Sequence, residues 1–191
     1  MTTHIFLDTE TTGLGLFANP VREDAIIEVG LACRMDNDIY TWGSICRPPK
    51  KYFEKGRADE AMKVNCITLE EIKEAPGIYD VSTELHRKIS HISHLPMVDR
   101  GNIMLHSYNI PFDRTFLSKR PWLLGELTWG EDVMDLAFNH FQLPAGNKIG
   151  LARTLERLGI KPEGKPHRAV TDAVSAMLAY EKIKEIEGVR Q

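Results

Sequence analysis

The sequence predicts a mixed α/β fold, a β-sheet flanked by α-helices, and the order of its apolar stretches is the reason. Three apolar, β-branched runs come early, at 5–14, 25–35 and 38–46, with only turn residues closing the last interval. Later, an apolar run ending at His106 passes almost at once into a helical pattern that opens with Pro111. Early hairpins supply antiparallel neighbours and a strand feeding straight into a helix supplies a parallel one, so the sheet is mixed. At 191 residues the chain suits one domain, 1–191 with a core of about 4–186, long enough to bury a proper interior.

Composition narrows the class. The chain is 42% hydrophobic and 27% charged, with no apolar run long enough to span a membrane and no signal-peptide pattern at Met1–Thr3, so a cytoplasmic protein is expected. Cys33, Cys46 and Cys66 are odd in number and widely spaced, which indicates neither a zinc site nor a disulfide framework. The formal net charge of −3 means that a nucleic-acid partner would have to be held by a local basic patch and bound metal.

The first strand, Ile5–Leu14, reads I-F-L-D-T-E-T-T-G-L. Side chains alternate on a strand, so Asp8 and Glu10 share one side and Thr9 takes the other. Two carboxylates in one small volume repel unless a cation neutralises both, and a hard divalent ion bound by oxygens fits. Taken alone, D-x-E favours the plainer reading of a strand ending in a polar turn at Gly13, with both acids in water. Ala25–Met35 and Asp38–Cys46 read as its hairpin partners around a turn at 36–38. Arg47–Arg57 contains two prolines and is expected to be a loop; its basic residues, interleaved with Tyr52 and Phe53, suit either a nucleic-acid guide or a solvated charged surface.

Thr68 and Glu71 form a capping-box pattern that opens a short helix ending before Pro76, and Ile78–Ile92 carries apolar residues at helical spacing. Asn102–His106 reads as a buried strand, and a helix follows to about Lys119. Trp122–Asp132 is expected to be irregular, and Val133–Phe141, Gly150–Leu158 and Arg168–Ile186 to be helical. Asp113 falls in the first turn after the buried strand, where the helix dipole favours a carboxylate. Asn109 there also reads as a helix cap, and Phe112 as either a core or a base-contacting residue. Asp172 shares a stripe with Ala169, Ala176 and Ala179, small residues that let the helix approach the sheet. His167 lies five positions before it, about 140° away on one continuous helix, so it belongs in the preceding loop, from which a general base can swing toward the acids.

Together, D-T-E-T-T-G, N-I-P-F-D and H-R-A-V-T-D resemble, in order and spacing, the three motifs of the histidine-containing branch of the DEDD exonucleases (DEDDh). The similarity runs from Ile5 to about Tyr180, and the chain looks like the proofreading exonuclease subunits of bacterial replicative polymerases and their free-standing relatives. It implies a ribonuclease-H-like fold, with Asp8, Glu10, Asp113 and Asp172 as ligands of two divalent cations, Mg²⁺ or Mn²⁺, and His167 as general base. Asp8 would bridge the ions, ~4 Å apart, around the scissile phosphate. Thr11, Thr12, Gly13 and Leu14, with Asn109 and Phe112, would hold the terminal nucleotide. The expected activity is 3′–5′ release of nucleoside 5′-monophosphates from single-stranded or frayed DNA ends. RNA trimming, a catalytically silent binding module and a phosphatase of small esters are the alternatives. One departure is Asn65-Cys66, where relatives often carry His-Gly, which bears on the loop shape there and leaves the acids unaffected. With Gln191 just past the last helix, a free-standing enzyme is expected over a stable polymerase subunit.

Overall fold

In a computed structural model, which describes residues 2–15, 23–35, 37–54, 56, 58–93, 103–162 and 164–189, five strands form one sheet in the order β3-β2-β1-β4-β5. β1 (Thr3–Thr11) pairs antiparallel with β2 (Ile26–Met35), which pairs antiparallel with β3 (Asp38–Ile45). On its other edge β1 runs parallel to β4 (Ile103–His106), and β4 parallel to β5 (Thr128–Trp129). The sheet is therefore mixed, as the order of the runs requires. Asn102 and Asp36, which the sequence reading includes in a strand and a turn, lie outside the described residues.

Strand alternation divides the core in two. Ile5 and Leu7 of β1, with Val29 and Leu31 of β2, face α3 (Ile78–Ser93) and α4 (Ile110–Leu117), meeting Leu85, Ile89, Phe116 and Leu117. Phe6 and Ala32 face the opposite way, onto α7 (Ala169–Val189), meeting Ala173, Ala176 and Met177. The small-residue stripe is buried as expected, Ala169 and Ala179 completely. The approach is close because glycines oppose it. Gly30 and Gly43 are cross-strand partners, and a Cβ on Gly30 would lie 2.1 Å from the Ala169 carbonyl carbon, one on Gly43 2.2 Å from Val170 Cγ2.

Two stretches depart from the sequence reading. α1 (Asp59–Asn65) was not signalled: its N-cap, Ala58, offers no side-chain acceptor. Within Trp122–Asp132, expected to be irregular, lie a 3₁₀ turn at Leu124–Glu126 and the short strand β5. α2 (Leu69–Glu74) has the predicted capping box, with the Glu71 amide donating to Thr68 Oγ1 and the Thr68 amide to Glu71 Oε2. α5 (Val133–His140) and α6 (Leu151–Leu158) complete the helices, α6 closing at Gly159 in the left-handed region. Phe53 in the basic loop is buried among Ile27, Ile67 and Ile72, which removes it as a base-contacting residue. Among the described helices, none is long and apolar enough to cross a membrane.

Candidate active site

Three of the four predicted acids converge. Asp8 and Glu10 project from β1 on the side covered by α7, and Asp172 comes down from the first turn of that helix. One carboxylate oxygen from each lies within 4.8 Å of the others. All three are half-buried hard oxygen donors, the set a divalent cation such as Mg²⁺ or Mn²⁺ requires. Asp113 stands outside that group, buried in the first turn of α4, where it accepts a hydrogen bond of 2.7 Å from Thr9 Oγ1. Thr9 points away from Asp8 and Glu10, as alternation demands, and so reaches the fourth acid from the opposite face of the sheet.

The electrostatics make Asp8 the common neighbour. Its carboxyl is raised well above the usual range, first by burial and then by Asp113, Asp172 and Glu10 in that order. Burial lifts Glu10 to about 7, with Asp172 and Glu28 adding to it and an Asn65 side-chain hydrogen bond opposing it. Asp113 is pushed up to about 7, again chiefly by burial, against the Thr9 hydrogen bond that favours the charged form. Asp172 is raised by burial, while the nearby His167 opposes the rise by its charge and by its backbone amide. Four acids that resist ionisation together are a site that gains strongly from a cation.

His167 sits in the loop before α7, exposed, and outside the ligating group, with φ at 57°. A concavity of about 480 Å³ adjoins the acids, lined by Glu10, Thr11–Leu14, Asn65 and Phe112. Leu14 and Val64 are large apolar side chains left exposed at this cleft. The hydroxyls of Thr11 and Thr12 are used within the turn itself: Thr11 donates to the Gly13 carbonyl at 2.6 Å, and Thr12 Oγ1 donates to Asp24 and accepts from the Ala25 amide. Asn109 is not in the lining, and its side chain makes no cap hydrogen bond, contrary to the sequence reading. That cap comes from elsewhere: Asp132 accepts from the Ile110 amide at 2.7 Å while also capping α5 through Met134. One carboxylate thus fastens the starts of two helices, one of which carries Asp113.

The Asn65-Cys66 departure has a definite shape. Cys66 closes α1 in the left-handed conformation, φ 57°, the conformation that suits the glycine often found there and costs a Cβ about 1 kcal/mol. Asn65 is buried, with Oδ1 accepting from the Ile67 amide at 3.1 Å and its side chain hydrogen-bonded to Glu10.

Comparison with known families adds a decisive finding: the profile of the RNase_T family, described as an exonuclease, matches residues 5–180. The chain belongs to this exonuclease family. Solved structures carry the same architecture, the ribonuclease-H-like sheet with helices on its faces. A 3′-exonuclease in 3′-end-specific recognition of a histone mRNA stem-loop aligns at TM-score 0.70 and 18% identity, over 96% of this chain and 64% of that one. The nuclease domain of 3′hExo, a DEDDh family member bound to rAMP, aligns at 0.69 and 17%, over 97% and 92%. S. pombe Pop2p, in its Mg²⁺- and Mn²⁺-bound form, aligns at 0.64 and 16%, over 95% and 82%. At these identities the likeness is one of fold, and this chain spans less than two-thirds of the stem-loop-binding relative. No curated protein matches by sequence.

In this chain the anchoring of His167 and Asp172 depends on a residue that the sequence reading passed over. Glu28, the cross-strand partner of Glu10, is buried and held by Arg168, with Nη2 at 2.7 Å from Oε1 and Nε at 3.0 Å from both oxygens. Its Oε2 also accepts from the Ala169 amide at 3.0 Å, so it caps α7. The signal was available: a charged residue in the run A-I-I-E-V-G, beside a strand glycine, marks a close approach.

The crowding of acids has a measurable consequence. Because the folded-state pKa values of Asp8, Glu10, Asp113 and Asp172 are raised, the folded protein binds more protons than the unfolded chain between the ordinary carboxylate range and about 7. Its metal-free stability therefore falls as pH rises through that window. In chelator at pH 8, Asp8→Asn is expected to melt above the parent by at least about 2–4 °C, the equivalent of roughly 1 kcal/mol, and the gap to close as pH falls toward 5. A variant melting below the parent at pH 8 contradicts this.

Proposed function

We propose that this chain is a metal-dependent 3′–5′ exonuclease that uses two divalent ions to release nucleoside 5′-monophosphates from single-stranded or frayed DNA ends. The observation that carries the reading is the convergence of Asp8, Glu10 and Asp172 oxygens within 4.8 Å beside a cleft large enough for one nucleotide. Asp8, Glu10, Asp113 and Asp172 would hold the ions. Bound there, they supply stabilisation of the charge developing on phosphate and a water acidic enough to be deprotonated near neutral pH. His167, exposed in the loop before α7, would act as the general base toward the attacking water. Leu14 and Phe112 present apolar surface to the terminal base, and the turn at Thr11–Gly13 shapes the wall beside the sugar. A terminal nucleotide reaches the acids only after unstacking, which costs a few kcal/mol in a paired end and less at a mismatch.

RNA trimming is the second reading, favoured by the stem-loop-bound and rAMP-bound relatives. DNA is favoured by the closeness of D-T-E-T-T-G-L to DNA-trimming relatives. Digestion of end-labelled single-stranded DNA, mismatched duplex, blunt duplex and RNA in Mg²⁺ separates them. We expect single strands and mismatched ends to be degraded ahead of blunt duplex, and nothing in excess chelator. RNA degraded at ten or more times the rate of single-stranded DNA, roughly 1.4 kcal/mol in its favour, reverses the substrate while leaving the metal chemistry. Blunt duplex as the best substrate overturns the unstacking argument.

A further inference from the structure

We propose that the nucleic-acid strand leading to the cleaved end lies along a basic and aromatic track that runs from the candidate active site across α4 to α3. This rests on the exonuclease reading above and extends it to the part of the substrate that the terminal cleft cannot hold. The track is a chain of three concavities. The one at the acids ends at Gly15 and Asp24; Asp24 also lines a second, of about 280 Å³, together with Tyr52, Phe116 and Lys119. Gly15 and Phe116 tie the two together, since a Cβ on Gly15 would lie 2.8 Å from the Phe116 ring. The second shares Tyr79, Arg120 and Pro121 with a third and larger one, of about 920 Å³, along α3.

Charge along the track favours a polyanion. The third concavity has Arg87 and Arg120 in its lining and no acidic residue there, Arg87 being paired with Glu84 beside it and Arg120 left free of such a partner among the described residues, on a protein of net charge −3. Lys119 and Arg120 are exposed and make no ion pair among the described residues, although Lys119 lies over the Phe116 ring at 5.6 Å. The acids of the middle concavity are engaged: Asp24 accepts from Thr12 and from the Gly15 amide, and Glu23 meets Lys51 and Tyr52. Tyr79 is 68% exposed between the second and third concavities. An exposed ring next to unpaired cations is how sequence-tolerant single-strand binding is built, with bases stacked on aromatics and phosphates following the charge. The strand can only be the one 5′ of the cut, because the 3′ terminal nucleotide fills the cleft at the acids.

The test compares Lys119→Ala/Arg120→Ala and Tyr79→Ala with the parent. Binding of a 5′-fluorescein thymidine trinucleotide and dodecamer is followed by anisotropy in Ca²⁺ over a salt series. Hydrolysis of the p-nitrophenyl ester of thymidine 5′-monophosphate is followed in Mn²⁺. The parent should hold the dodecamer at least about tenfold more tightly than the trinucleotide, the additional affinity coming from stacking and phosphate contacts. Removing the two charges should erase most of that advantage and lower the salt slope by about 1.4, about 0.7 per lost phosphate contact. Tyr79→Ala should weaken the dodecamer about fivefold or more with the slope unchanged. Trinucleotide binding and ester hydrolysis should stay at parental levels in both variants. Affinity independent of length in the parent, or variants that bind the dodecamer as the parent does, overturn the proposal; in the latter case the surface serves a partner other than nucleic acid. A parent that binds by length but does not hydrolyse the ester or digest oligonucleotides leaves the track standing and overturns the exonuclease reading.

Discussion

Asp8→Ala, and equally Asp172→Ala, is expected to reduce Mg²⁺-dependent nucleotide release to below about 10⁻³ of the parent while leaving the fold intact. The loss is larger than the 10²–10³ typical of one oxyanion-stabilising donor, because a ligand shared between ions removes their placement as well as their charge. Asp8 has the greatest claim to that shared position, with a carboxylate oxygen within 4.8 Å of one from each of Glu10 and Asp172, and with Asp113 the strongest influence among the charges around it. The fold should survive because neither acid belongs to the apolar clusters on the two faces of the sheet. End-labelled oligonucleotide digestion, with circular dichroism on the same samples, reads both parts. Parental activity in Asp8→Ala, or in the parent with excess chelator, overturns the assignment.

His167→Ala is expected to lower turnover by about 10²–10⁴, the usual contribution of a positioned general base, with metal affinity nearly unchanged. The substitution is clean because the backbone amide that supports Asp172 remains and the side chain is exposed, so only the imidazole is removed. Calorimetric titration of Mn²⁺ distinguishes a base from a ligand: a collapse of affinity in this variant would make His167 a ligand.

Strand and helix periodicity was enough to read most of the architecture. Period two on β1 assigned Asp8 and Glu10 to one side and Thr9 to the other, and each now meets a different helix. The Ala stripe around Asp172, the capping box at Thr68–Glu71 and the loop position of His167 are likewise local, because each depends on residues within a turn or two. The short elements β5 and α1 were not legible for the same reason: two residues carry no period, and a seven-residue helix begun by Ala58 has no capping signal.

By itself, then, the sequence determined which residue types stand on which face of each element and the order in which the acids arrive. Only the tertiary structure decided what meets them. Glu28 finds Arg168 across 140 positions, Thr9 finds Asp113 across 104, and Asp132 reaches back 22 to fasten the start of α4. Periodicity records burial, which every position reports locally, whereas a hydrogen bond between distant segments depends on how whole elements are laid against each other. The close seating of α7 on Gly30 and Gly43 is such a fact, and it is what brings Asp172 to Asp8 and Glu10.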